Sequence, residues 1–301
     1  MPAGNKKKWF ILLPLLIVLI SALTIGWQLF FRARGYGPVK EIPVTVETLQ
    51  PAGEGLWRVS PEVLDKVPGA RTARAARLKD LRVQKIEVEI VHENGNQVTI
   101  RSKGLRESDL LIQRPGNLAA GAAVVPQGMT EARLLRLAIE AGLAGLQDRD
   151  LTQSLRFISP DYRDSWGFNY FFIGKLLERA YREFENLRLE FASEPELRIQ
   201  GHQAMVQAKV RLTADYRGRH NYLLGDPREF NALVFQFEKA GPGWRVVNLT
   251  GLRPLGFDER FFRLLGGDIG LPLTEDERRD KQAACMPCRD RMAERFGPYR
   301  P

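Results

Sequence analysis

From Trp9 to Phe31 the chain runs W-F-I-L-L-P-L-L-I-V-L-I-S-A-L-T-I-G-W-Q-L-F-F without one charged side chain. Such a stretch leaves the backbone few options. In hydrocarbon a single segment satisfies its own N–H and C=O groups only as a helix. At about 1.5 Å per residue that helix is roughly 34 Å long, enough to cross a bilayer core with slight tilt. Trp9 and Trp27 sit near its two ends, as interfacial aromatics do. Pro14 lies in its early turns, where a lost hydrogen bond does least harm. A cleaved signal peptide would carry a shorter apolar region followed by small residues. Here the run ends in Leu29, Phe30 and Phe31, and a retained anchor is expected. Lys6, Lys7 and Lys8 precede the helix, and Arg32, Arg34 and Lys40 follow it. That charge difference is small; with so short an N-terminal flank, it places residues 1–8 inside and the body outside. The expected location is a bacterial inner membrane, with the body facing the periplasm or cell exterior.

The remaining chain has the composition of folded protein, with 44% hydrophobic and 27% charged residues among 301. The net charge of +9 invites nucleic acid as a partner. No arginine-rich arm, zinc-finger spacing or basic helix with interleaved aromatics accompanies it, so none is expected. Residues 32–55, with Gly35, Gly37, Pro38, Pro43, Pro51, Gly53 and Gly55, read as a linker or an irregular strand edge. Arg71, Arg74, Arg77, Lys79, Arg82 and Lys85 then follow closely. They read as a solvated loop or short helix, or else Arg71, Arg74, Arg77 and Lys79 contact lipid headgroups or an acidic partner.

Beyond Val83 the period becomes two. Ile86, Val88 and Ile90 alternate with charged residues, Asn94-Gly95 supplies a hairpin turn, and Val98 and Ile100 resume the alternation. This strand and hairpin, with Gly104-Leu105, Asp109 and Gly121 before Val124-Val125, resemble the membrane-proximal β-domain of periplasmic efflux adaptor proteins. The resemblance implies a β-rich module over 56–127; an adaptor's lipoyl and coiled-coil parts have no counterpart here.

After Gly128 helices come first. Thr130 caps one with Leu134, Leu135, Ala138, Ile139, Gly142 and Leu146 at helical spacing. The loop S-P-D-Y-R-D-S-W leads to a second, striped by Ile173, Leu176, Leu177, Ala180, Phe184 and Leu187. Alternating strands follow around Val206–Ala214 and Leu233–Phe237. The turn A-G-P-G and W-R-V-V-N-L close the set. Helices followed by long antiparallel strands suit a sheet wrapped over a helix. In this order, and most of all in the hairpin from Phe235 through Trp244 to Leu249, the chain resembles the nuclear transport factor 2-like (SnoaL-like) α+β cone. That resemblance assigns 128–256 to a cone and leaves 257–301 as a charged helical tail.

Relatives of this kind use the open end of the cone for catalysis, binding or dimerisation. A ketone-isomerising site needs a carboxylate base beside an oxyanion donor. Asp161, Asp164, Tyr162, Trp166 and Tyr170 from the loop, and Asp215 and His220 from the strands, are the candidates. No Asp–His spacing forces such a pair, and Asp161 after Pro160 is ordinary turn chemistry. The ligand-binding set is therefore Tyr162, Trp166, Tyr170, Asp164 and His220, with no catalytic residue assigned. The G-x-S-x-G, phosphate-loop and H-E-x-x-H signatures are lacking, and the three histidines stand far apart, so neither cofactor nor metal is expected. Cys285-Met-Pro-Cys288 holds the only cysteines. A structural disulfide, a metal or partner clip and redox chemistry remain open for them. The expectation is an α+β protein on one transmembrane helix, acting as a non-enzymatic accessory or scaffold of an envelope assembly. Membrane lipid, an envelope protein and a second copy of the chain are its expected partners. The alternative is an anchored SnoaL-like enzyme or small-ligand binder using the mouth of the cone.

Overall fold

In the computed structural model, residues 39–66, 69–164 and 167–251 are described. The apolar stretch 9–31, Trp166, the tail and Cys285 and Cys288 lie outside them. Among the described residues no helix is long and apolar enough to cross a membrane.

The first sheet has nine strands: β1 (Ile42–Thr48), β2 (Gln50–Gly53), β3 (Leu56–Val59), β4 (Leu64–Asp65), β5 (Thr72–Lys79), β6 (Arg82–Asn94), β7 (Gln97–Arg101), β8 (Leu110–Ile112) and β9 (Val124–Gln127). The order is β2-β3-β7-β6-β5-β8-β1-β9, with β4 on β5. Only Leu49 separates β1 from β2, so the path leaves one stretch of chain and returns to it, curling the sheet round its own interior. Leu49 points into that interior with Val59, Val63, Val88, Val98, Ile100 and Leu111. The stretch expected as a linker thus contributes β1 and β2 from residue 42 onward.

Two expectations meet different outcomes here. The Asn94-Gly95 hairpin is present, with Asn94 opposite Gln97 and Gly95 at φ 45°. The basic stretch expected as a loop or short helix is instead strand β5, paired with β6 from Thr72–Glu89 to Lys79–Arg82. Its buried residues include Ala73 and Ala75 on the sheet's interior and Ala76 on the shared core, all too small to announce a strand, while the long arginines dominate the reading. Arg77 is bound to Gln84, Gly104 O and Asp109, and Arg74 sits opposite Glu87. The Arg77 charge is thereby engaged within the sheet.

The second part is the α+β cone: α1 (Glu131–Gln147), α2 (Leu151–Arg156) and α3 (Tyr170–Glu183), then β10 (Glu185–Phe191), β11 (Glu196–Gln200), β12 (Gln203–Tyr216), β13 (Arg219–Leu224), β14 (Asn231–Ala240) and β15 (Gly243–Thr250). Four strands follow the antiparallel order β10-β12-β14-β15, and β11 and β13 pair with the two ends of the long β12. Helices packed in a curled antiparallel sheet are the arrangement implied by the nuclear transport factor 2-like resemblance. Thr130 caps α1 by accepting from Arg133 N, and Glu131 in the first turn meets the helix dipole favourably. The Glu131 carboxylate also accepts from Trp244 Nε1 at 3.1 Å and pairs with Lys239, fixing α1 to the β14–β15 hairpin.

The two sheets share one core. Val44, Leu78, Leu81, Val83, Ile112 and Val124 of the first pack with Leu135, Ala138, Phe157, Val206, Phe237 and Trp244 of the second. The joint is bolted by α2. Asp80 and Leu81, the turn between β5 and β6, have φ of 51° and 54°, a left-handed conformation that costs a non-glycine residue energy. Gln153 Nε2 donates to Asp80 O at 2.7 Å and Arg156 Nη1 to Leu81 O at 2.8 Å, holding both. Arg156 also donates from Nη2 to Val124 O and from Nε to Glu41 Oε1 at 2.8 Å. Both charged side chains are almost wholly buried. Burial pulls the Arg156 guanidinium below its usual pKa, and Glu41 works against that. Gly145 lets α2 come this close, because a Cβ there would stand 2.8 Å from Gln153 Cγ and 2.9 Å from Ser154 N.

Candidate ligand-binding site

α1 is apolar over a wider arc than one packing face needs. Leu134, Leu135, Ala138 and Ala141 are buried in the shared core. Ile139, Leu143 and Leu146 form a second apolar edge that stays half-buried. The helix is amphipathic in the usual sense only on its outer side. α3, capped by the Asn169 side chain accepting from Phe172 N, turns Ile173 and Leu177 toward that second edge. β10 adds Leu189 and Phe191, and the hairpin β14–β15 adds Phe235, Val246 and Leu249.

Between these elements lies a cavity of about 260 Å³. The apolar residues around it belong to two groups, one buried and one half-buried. Ala138, Phe157, Val206 and Phe237 belong to the shared core, whereas Leu189, Phe191 and Leu249 pack on a separate cluster of Ala208, Val210 and Leu233. The cavity lies between those clusters, with Phe235 packed against both. Gly142 lines it too, since a Cβ at that position would touch Phe157 at 3.5 Å and narrow the space.

The polar groups on its wall are Ser154 and Tyr162. Ser154 Oγ donates to Asp150 O at 2.9 Å and lies 2.6 Å from Tyr181 Oη. With its one proton committed to Asp150 O, it accepts from Tyr181. Tyr162 Oη donates to Asp164 Oδ2 at 3.1 Å, while Phe168 N donates to Asp164 Oδ1 at 2.9 Å. Burial first, and the Asp164 charge second, push the Tyr162 hydroxyl well above the usual tyrosine range. Burial pushes Tyr181 up to about 12, with Ser154 working against it. Both remain neutral donors at physiological pH. Among the described residues, none lining the cavity carries a carboxylate, an ammonium or a guanidinium.

The structure brings part of the sequence-derived set together. Tyr162 lines the cavity and Asp164 stands behind it. Tyr170 opens α3 and is raised by burial, with Arg245 opposing. His220 is elsewhere, exposed on β13, with Nδ1 3.0 Å from Asp215 Oδ1 and its ring edge-on to Tyr222. Asn186 Nδ2 donates to the other oxygen of Asp215 at 2.7 Å. Asp161 N donates to Ser159 Oγ, as a turn residue does. Among the described residues no cluster of three His, Cys, Asp or Glu side chains could hold a metal ion. Sequence reasoning missed Leu143, Ser154, Phe157, Leu189 and Phe191 as wall residues. The excess apolar width of α1 was the available signal for the first of these.

No family model matches the chain, and no curated protein does. Solved structures match over about two fifths of it. One is a scytalone dehydratase candidate from Novosphingobium aromaticivorans, at 14% identity and TM-score 0.35, covering 42% of this chain and 93% of that one. Another is a nuclear transport factor 2-like superfamily protein from Salmonella enterica serovar Typhimurium, at 18% and 0.33, covering 42% and 94%. A third is a nuclear transport factor 2-like protein from Cytophaga hutchinsonii, at 12% and 0.33, covering 41% and 100%. At these identities and scores no function passes from them to this chain. They do not show the efflux-adaptor resemblance of the first sheet.

Proposed function

We propose that this protein binds an apolar small molecule in the cone, and that residues 9–31 hold the cone at a membrane surface. One observation carries the reading: a cavity of about 260 Å³ walled by aliphatic and aromatic side chains. Folded cores are packed close to crystal density, so apolar surface left around an open space is costly unless something fills it. The scaffold role calls for a filled cone or an exposed apolar sheet face, and the first of these is not met. A ketone-isomerising site called for a carboxylate facing the substrate, and the Asp164 carboxylate instead receives the Tyr162 hydroxyl and the Phe168 amide. Binding of an apolar molecule fits both features.

Photolabelling of the full chain in lipid nanodiscs tests it. A compact caged probe, an adamantyl diazirine, is expected to label peptides carrying Leu143, Leu146, Ile173 or Leu177. Leu143→Trp, which narrows the space too far for the cage, is expected to reduce that labelling by at least tenfold while the far-ultraviolet circular dichroism stays unchanged. Equal labelling of both proteins, or labelling spread over the surface, would overturn the reading.

A further inference from the structure

The chemistry of the wall narrows the ligand further, and the narrower statement rests on the binding reading above. Among the described residues, every hydroxyl proton facing the cavity is already spent. Tyr162 donates to Asp164, Ser154 to the Asp150 carbonyl, and Tyr181 behind it to Ser154. A carbonyl or ether oxygen carried into this space would give up its hydrogen bonds to water and meet no free side-chain donor. A polar group buried that way weakens binding substantially. A charged group would fare worse, because no described side chain of opposite sign lines the wall. Apart from a donor placed directly against the Tyr162 or Ser154 oxygen, the portion of ligand inside is therefore hydrocarbon.

Size sets its length. A cavity of about 150 Å³ lined by similar residues accommodates one benzene, six carbons. The space here is about 260 Å³, and by proportion it holds roughly ten carbons. The wall residues Ile139, Leu143, Leu146, Ile173, Leu177, Leu189 and Phe191 are half-buried rather than sealed. Solvent thus reaches the rim, and a polar end attached to the chain can stay in water. We infer that the cone takes one saturated alkyl chain of an amphiphile, about ten carbons deep, with the head group left outside. A free fatty acid and a membrane lipid both supply such a chain.

Competition against the adamantyl diazirine distinguishes the outcomes. Full-length protein in nanodiscs is labelled in the presence of hexanoate, octanoate, decanoate, dodecanoate or tetradecanoate, each below its micellar concentration. Each added methylene is expected to strengthen competition roughly fourfold up to about ten carbons, and further methylenes to add little. In Leu143→Trp, read by competition with a short-chain diazirine, the plateau is expected to move to shorter chains. A decanoyl lysophospholipid competing as well as decanoate assigns the site to the chain irrespective of its source. Free acid competing alone assigns it to fatty acids. If the cage labels the cavity but competition is flat across the series, the chain is the wrong class while apolar binding stands. If neither cage nor chain labels or competes, both statements fall together.

Discussion

The two sheets enclose apolar interiors and treat them differently. In the curled first sheet Val98, Ile100 and Leu111 are each 0% exposed, and Leu49, Val59 and Val88 close the remaining gaps. In the cone, side chains just as apolar stand half-exposed round an open space. The first interior contains short side chains, many of them valine and alanine, drawn from strands close enough to interdigitate. The second is framed by two helices held apart: α1 is committed to the shared core on one face, and α3 is separated from it by the loop through Tyr162. A sheet that only needs to be stable fills itself. A sheet that holds helices at a distance keeps room for something else.

The largest expected effect would break the joint between the two. Arg156→Ala leaves Glu41 buried without a partner and frees the strained Asp80–Leu81 turn. A loss of about 3–5 kcal/mol is expected, the range for removing one member of a buried ion pair. Urea unfolding followed by tryptophan fluorescence would measure it, and a change under about 1 kcal/mol would mean that Arg156 is no bolt. The next prediction sharpens the comparison itself. Leu111→Ala, in the filled interior, should cost about 2–5 kcal/mol, whereas Leu177→Ala, on the cavity wall, should cost less than about 1 kcal/mol. Equal losses in parallel urea titrations would show that the cone is packed as tightly as the first sheet.

The smallest effect concerns pH. Burial raises the Asp150 carboxyl, but the Gln153 amide, the Arg82 side chain and the Thr152 amide together outweigh it and hold it below the usual carboxylate range. A lowered folded value means that the group adds stability above about pH 4, its ordinary unfolded value, and loses it as pH falls through the folded value. Asp150 is only partly buried, and its Arg82 pair is worth little in water. Asp150→Asn should flatten the acid limb of a stability profile slightly and leave pH 7 ligand labelling unchanged. An unaltered acid limb would show that the carboxyl titrates as in the unfolded chain.

How far the sequence reached can be followed residue by residue. Asn94-Gly95 and the alternation of Val206, Ala208 and Val210 are local signals, set by turn geometry and by the two-residue period of a strand. They read correctly because nothing distant had to be known. β5 was hidden, because alanines facing inward carry little hydrophobic signal and the charges facing outward carry much. Tyr162 and Asp164 were legible as a polar pair on a loop, while His220, drawn from a similar argument, lies on an exposed strand away from the cavity. Ser154 could not be recognised at all, since its role depends on Tyr181 folding back across it.

By itself the sequence determined the α+β class, the helices-before-strands order of the second part and the apolar stretch at 9–31, because capping, turn chemistry and periodicity act over a few residues. Only the tertiary structure decided that the two sheets share a core through Arg156 and Glu41, which lie 115 positions apart. It alone decided that the cone interior stays open. A cavity is the space between side chains that never meet, and no local pattern records a contact that is absent.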